Sequence, residues 1–159
     1  MSRTISGAWI LQLAVAFILL FVSFITLSIN YTRAYAVKNE LLSIIEKYEG
    51  VSQGNDGSVQ IINNYLLHHK YSMMSECGPG YYGTQDLDSN TLEPTESNTK
   101  YYYCIKKVSS ASNAHPKRAH YEVKVFFNFN LPLLGGILTF DSHGVSNDID
   151  KPSPNDVFK

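Results

Sequence analysis

Ala8-Trp9-Ile10-Leu11-Gln12-Leu13-Ala14-Val15-Ala16-Phe17-Ile18-Leu19-Leu20-Phe21-Val22-Ser23-Phe24-Ile25-Thr26-Leu27-Ser28-Ile29 is a run whose only polar members are Gln12, Ser23, Thr26 and Ser28. No Asp, Glu, Lys, Arg or His occurs between Arg3 and Arg33. As a helix rising 1.5 Å per residue the run covers about 33 Å, enough to cross the apolar core of a bilayer. Neither Gly nor Pro appears from Ala8 to Glu49, so nothing tells the helix to stop where the apolar run ends. Past Asn30 the pattern becomes one-sided. Ala34, Val37, Leu41, Ile44, Ile45 and Tyr48 recur every three or four residues, and Arg33, Lys38, Asn39, Glu40, Glu46, Lys47 and Glu49 occupy the opposite side. The spacing predicts one rod of roughly 40 residues, from Ala8 to Tyr48, with Gly50 as its left-handed cap. Its first half belongs in lipid, and its second lays an apolar stripe on a folded domain.

The boundaries follow from that rod: a short leader at 1–7, a transmembrane helix at 8–30, its amphipathic continuation at 31–50, an extracytoplasmic α+β domain at 51–150 and a flexible tail at 151–159. The apolar core is too long for an ordinary secretory signal peptide and no small-x-small cleavage site follows it, so an anchor is expected. About 110 residues remain for one modest core. With 13 basic and 14 acidic residues and a net charge of −1, the chain has no basic stripe to displace counterions from phosphates, and no nucleic-acid partner is expected.

Cys77 and Cys104 are the chain's two cysteines, and neither lies in a Cys-x-x-Cys motif. Paired, they close a loop worth about 3–4 kcal/mol, which suits an oxidising compartment outside the cytoplasm. With Arg3 inside, this gives an inner amino terminus and an outer carboxyl-terminal domain.

Within that domain, Val59, Ile62, Tyr65, Leu66 and His69 predict a second helix over about 58–70, capped by Asp56 or Ser58. His68 and His69 at its end diverge by about 100° and make a poor chelate. Residues 84–100 are polar and without period, which predicts a long exposed loop. Asp86, Asp88 and Asn90 alternate there as in calcium loops, yet Thr91 stands where glycine is needed and Ser97 where the chelating Glu is needed, so a solvated loop is expected. Strands are predicted at Tyr101–Val108, at Tyr121–Asn130 and at Ile137–Phe140, the last two joined by the turn Leu131-Pro132-Leu133-Leu134-Gly135-Gly136. That turn is oddly apolar, as though it packed on the rod, reached the membrane surface or met a partner subunit. The fold class is therefore α+β, a long amino-terminal helix packed on a small antiparallel sheet.

No Ser-His-Asp or Cys-His arrangement, phosphate-cradling loop or paired zinc motif is present, and His115, His120 and His143 are scattered. No catalytic, metal-binding or cofactor-binding residue is assigned, and the chain is not expected to be an enzyme.

A short leader ending in Gly, an uncharged helix, its amphipathic extension and a small disulfide-bearing sheet together resemble the type IV pilin-like proteins. Within them the chain is most similar to the TadE-type pseudopilins of tight-adherence pilus systems. The resemblance rests on Ser6-Gly7 before Ala8 to Leu13, on Ala34 to Asn39 in the rod, and on the strand-turn-strand from Tyr121 to Gly144 with its Leu131-Pro132 corner. It implies cleavage between Gly7 and Ala8 by a prepilin-type peptidase, helix-helix assembly involving Gln12, and copies of itself or other pilin-like subunits as partners beside the membrane. In the family the fifth residue after the processed glycine is commonly Glu; Gln12 keeps its shape and accepts a hydrogen bond but carries no charge. The competing expectation is a single-pass, membrane-anchored accessory binding subunit of a conjugation, competence or secretion complex.

Overall fold

The computed structural model describes residues 2–113, 117–130, 137–152 and 154–158, with no side-chain placement for 2–8, 129–130 and 137–138. The order of elements is helix α1 (Ser2–Lys47), helix α2 (Ser58–His68), and strands β1 (Tyr82–Gly83), β2 (Glu93–Pro94), β3 (Tyr103–Ser109), β4 (Ala119–Asn130) and β5 (Ile137–Val145). The strands form one antiparallel sheet in the order β2-β1-β3-β4-β5. The α+β class is thus as the periodicities predict. The rod is unbroken too, but it begins at Ser2, six residues before the expected start, so the Gly7–Ala8 bond lies inside helical backbone.

The helix ends in a paired-bond cap. Gly50 N–H donates to Ile45 O at 2.9 Å and Glu49 N–H to Glu46 O at 3.2 Å, with Glu49 in the left-handed region at φ 52°. The residue that reverses the chain is therefore Glu49, and Gly50 follows it at φ 138°. The same device closes α2, where Tyr71 N–H bonds Leu66 O, Lys70 N–H bonds Leu67 O, and Lys70 sits at φ 50°. At the start of α2 the N-cap is Gly57, not Asp56 or Ser58. A Cβ on Gly57 would lie 2.4 Å from the backbone oxygen of Ser52, so no side chain fits, and the neighbouring hydroxyls act instead: Ser52 N–H donates to Ser58 Oγ, which in turn donates to Gly50 O.

Packing follows the strand alternation. Tyr103, Ile105, Tyr121, Val123, Val125 and Phe127 face the helices and meet Ala34, Val37, Leu41, Ile44 and Ile45 of α1 with Val59, Ile62 and Leu66 of α2. The opposite face carries a smaller cluster of Cys77, Tyr81, Tyr101, Cys104 and Phe126, closed by the Cys77–Cys104 disulfide with its Cα atoms 5.7 Å apart.

Two expectations about loops are corrected. Residues 84–100 are pinned, because Leu87 and Leu92 are buried in the core and the short strands β1 and β2 pair across the segment. The carboxyl-terminal residues from 154 to 158 are likewise docked rather than flexible. Val157 N–H bonds Val51 O at 2.8 Å, Phe158 packs edge-on to Tyr82, and Asp156 is buried, receiving Lys107 Nζ at 2.7 Å and the Tyr121 hydroxyl at 2.6 Å. Polar composition and two prolines hid the one carboxylate that satisfies a strand lysine and a strand tyrosine. The apolar turn at 131–136, with Leu131 and Pro132, lies outside the described residues, as does His115.

Where α1 crosses β5, the closest approach is made by Gly144: a Cβ there would come 2.7 Å from Lys38 Cδ and 2.8 Å from Leu42 Cδ1. Gly144→Val is expected to push helix from sheet and cost about 1–3 kcal/mol. Its neighbour Val145 is 53% exposed, and Val145→Thr should fall within about 0.5 kcal/mol of the parent. Thermal unfolding of the detergent-solubilised chain compares the two directly.

Candidate functional site

Two surfaces of α1 stand out, one bare and one grooved. Along the first half, Trp9, Ile10, Leu13, Phe17, Leu20, Phe21 and Phe24 are all exposed, Phe17 to 69%. This half of the helix has a mean hydropathy of 2.7 in its most apolar stretch. A contiguous apolar surface of this size needs lipid or protein around it. Two of its hydroxyls bond back within the helix, which suits a water-free surrounding: Ser23 Oγ donates to Leu19 O at 2.8 Å and Thr26 Oγ1 to Val22 O at 2.9 Å, and just beyond, Thr32 Oγ1 donates to Ser28 O at 2.8 Å. Gln12, by contrast, is exposed with no hydrogen-bond partner among the described residues. Its amide is available to something outside the chain. Gly7 and Ala8 lie in the first turns of the same helix; their side chains are outside the described set.

The groove opens where the apolar half ends. β4 outruns β3: the last pair is Tyr103 with Val125, while β4 continues to Asn130 against β5 alone. From Phe126 onward the β3 side of β4 therefore has backbone groups without a strand to bond them. Two side chains take the strand's place. The Tyr71 hydroxyl receives Phe126 N–H at 2.9 Å and donates to Phe126 O, and Asn30 Nδ2 donates to Asn128 O at 2.9 Å. Tyr71 follows the end of α2 and Asn30 lies within α1, so the sheet edge, the end of α2 and the middle of α1 are tied at one place. Burial pushes the Tyr71 phenol up to about 12, against a smaller opposing effect of the Phe126 backbone bond.

Between these tie points lies a cavity of about 360 Å³. Arg33, His69 and Lys70 contribute to its walls, together with Asn30, Tyr71 and Phe126, and no carboxylate does. Lys70 is placed by the left-handed cap of α2, and His69 by its ring against Tyr65 at 4.4 Å. Glu40 is felt by Tyr65, whose pKa is raised by burial first and by that carboxylate second.

The remaining polar residues singled out in the sequence stay apart. His68 and His69 meet edge to face, 5.4 Å between ring centres, without converging on a common point. His120 Nδ1 lies 2.7 Å from Ser110 Oγ and 3.4 Å from Asp148, whereas His143 stands opposite Lys124, so the two do not meet. Asp86 is used locally, its carboxylate accepting Asp88 N–H and its carbonyl the hydroxyls of Thr84 and Ser89. Among the described residues no group of three or more His, Cys, Asp or Glu could hold a metal ion. The groove itself was missed by reading the sequence, and the available signal was the unequal length of the strands. No protein-family model matches the chain, and comparison with curated proteins and with solved structures yields no match.

Tyr71→Phe should leave the Phe126 amide and carbonyl without their partner, costing about 1–3 kcal/mol and speeding exchange of the Phe126 amide proton. In the parent, the raised phenol contributes stability that is full below pH 10, the ordinary tyrosine value, and is lost as pH rises through about 12. Unfolding measured from pH 9 to 12 should show a shallower decline in Tyr71→Phe.

Proposed function

We propose that the chain is a pilin-like structural subunit, anchored by α1 in the membrane with its sheet domain outside the cytoplasm, whose apolar rod packs against rods of other copies or of related subunits. The observation that carries this reading is the division of one unbroken helix into a bare apolar half and a half buried on the sheet. A rod of that kind passes from lipid to a bundle of like rods without refolding, because its backbone bonds are internal and the hydroxyls of Ser23 and Thr26 bond back to its own carbonyls. The Cys77–Cys104 bond supports an oxidising location for the sheet domain. The exposed Gln12 amide supports assembly: once the chain is cut after Gly7, the new amine of Ala8 lies about one helical turn away, and the amide of a neighbour can accept its hydrogen bond. A neutral acceptor holds a charged amine less firmly than a carboxylate does, so on this reading assembly is weaker than in a subunit with Glu at this position.

The reading expects cleavage between Gly7 and Ala8 by a prepilin-type peptidase. Intact-mass measurement of protein from native membranes should give a chain starting at Ala8. With Phe17→Cys as a reporter and copper phenanthroline added as the oxidant, disulfide-linked dimers should form in those membranes and become more abundant when Gln12→Glu is added. A chain starting at Met1 or Ser2 with an active peptidase present, and no cross-linked dimer, would leave an anchored accessory domain instead.

A further inference from the structure

We propose that the groove between α1, the end of α2 and the open side of β4 is a binding site for the phosphate of an anionic phospholipid. The inference rests on α1 spanning the membrane, not on its assembly with other copies. Three observations meet at this place. First, the cavity lies at the first charge after the apolar half: Arg33 is on its wall, three residues beyond Asn30, whose amide is fixed on Asn128 O. A groove at that height faces the headgroup layer.

Second, its chemistry is one-signed. Arg33, His69 and Lys70 line it, no Asp or Glu does, and neither Arg33 nor Lys70 forms an ion pair among the described residues. Glu40, whose charge is felt by Tyr65, is outside the lining. A guanidinium with five donors and an ammonium with three suit a phosphate oxygen set, and the desolvated walls made by Val37, Met73 and Phe127 strengthen the attraction.

Third, an apolar track leads up to the groove. Val15, Leu19, Val22, Thr26, Ile29 and Arg33 follow one another at spacings of three and four, so they lie along one side of α1. Thr26 turns its hydroxyl back to Val22 O, which leaves its methyl group on the track, and the four apolar residues are between 37% and 53% exposed. From Leu19 to Arg33 the track is about 21 Å long, the scale of an acyl chain hanging from a glycerol phosphate. A soluble phosphate would make no use of it.

The test uses the full chain purified in a maltoside detergent, loaded with equal amounts of dioleoylphosphatidylglycerol and dioleoylphosphatidylcholine, with retained lipid counted by native mass spectrometry. The parent should retain phosphatidylglycerol with a preference of about tenfold, and Arg33→Gln combined with Lys70→Gln should bring the preference to within about twofold. Both residues are exposed and outside the core, and an intact Cys77–Cys104 bond with unchanged circular dichroism shows that the variant is folded. An undiminished preference in that variant overturns the site. So does displacement of the lipid by millimolar glycerol phosphate or inorganic phosphate, which would reassign the groove to a soluble ligand. Flotation of the parent with vesicles separates the two levels: protein that fails to float refutes the membrane reading and the lipid site with it, whereas protein that floats without lipid preference refutes the site alone.

Discussion

The contact between the second half of α1 and β4 is what the remaining structure is arranged around. Val37, Leu41, Ile44 and Ile45 bury their side chains against Val123, Val125 and Phe127, and each fully buried aliphatic side chain of this kind contributes about 1.5–3 kcal/mol. That seam fixes the direction in which the free half of the helix leaves the domain. It also explains the glycine at 144, since the helix lies so close to β5 that Lys38 and Leu42 occupy the space a side chain would need. Because the helix has no interruption, any force on its apolar half is delivered to the seam through a continuous ladder of backbone bonds.

A sheet built beneath such a rod has to end somewhere, and the chain uses different means on different edges. The far end of β4 is completed by a phenol and an amide, Tyr71 just past the end of α2 and Asn30 within α1. At the other end of the domain, Asp156 joins Lys107 and Tyr121, and the backbone of the last residues pairs with Val51. A carboxylate there raises the Tyr121 pKa, after the larger effect of burial, so the phenol stays protonated and donates its hydrogen bond. At the end of β4 polar side chains do the work of a missing strand, whereas at the other end the backbone of the last residues pairs directly and Asp156 satisfies two strand side chains.

The parts of this architecture that repeat were legible in the sequence, and the parts that depend on single partners were not. Periodicity located α1, α2 and the three long strands, because 3.6-residue and two-residue alternations report burial directly, but it started α1 six residues late and ended β5 five residues early. Cys77 and Cys104 were legible because the chain has no other cysteine to confuse the pairing. The cap at Glu49 was placed one residue late because a left-handed Glu is rarer than a left-handed Gly, and the glycine beside it drew the assignment. Leu87, Leu92 and Asp156 sit in polar, aperiodic stretches, where one buried side chain leaves no pattern behind it. The groove is the extreme case. It is assembled from positions 30 to 37, 65 to 73 and 126 to 127, and only the fold brings them together.

Gln12 and Arg33 mark the two ends of the bare half of α1, and they differ in what they ask of their surroundings. A neutral amide can stay in lipid at modest cost, so Gln12 does not by itself force a partner on the helix. An arginine within the apolar run would be far costlier in lipid, and Arg33 stands instead just past the end of that run, beside Asn30 and Tyr31. Tyr31 packs edge-on to Phe127 of β4, 5.8 Å between ring centres, so the turn of helix at which the apolar run ends is also clamped to the sheet. The direction of the apolar half and its position relative to the sheet are therefore held by one turn, and a helix that slid by a single residue would have to break the Tyr31 and Asn30 contacts with β4.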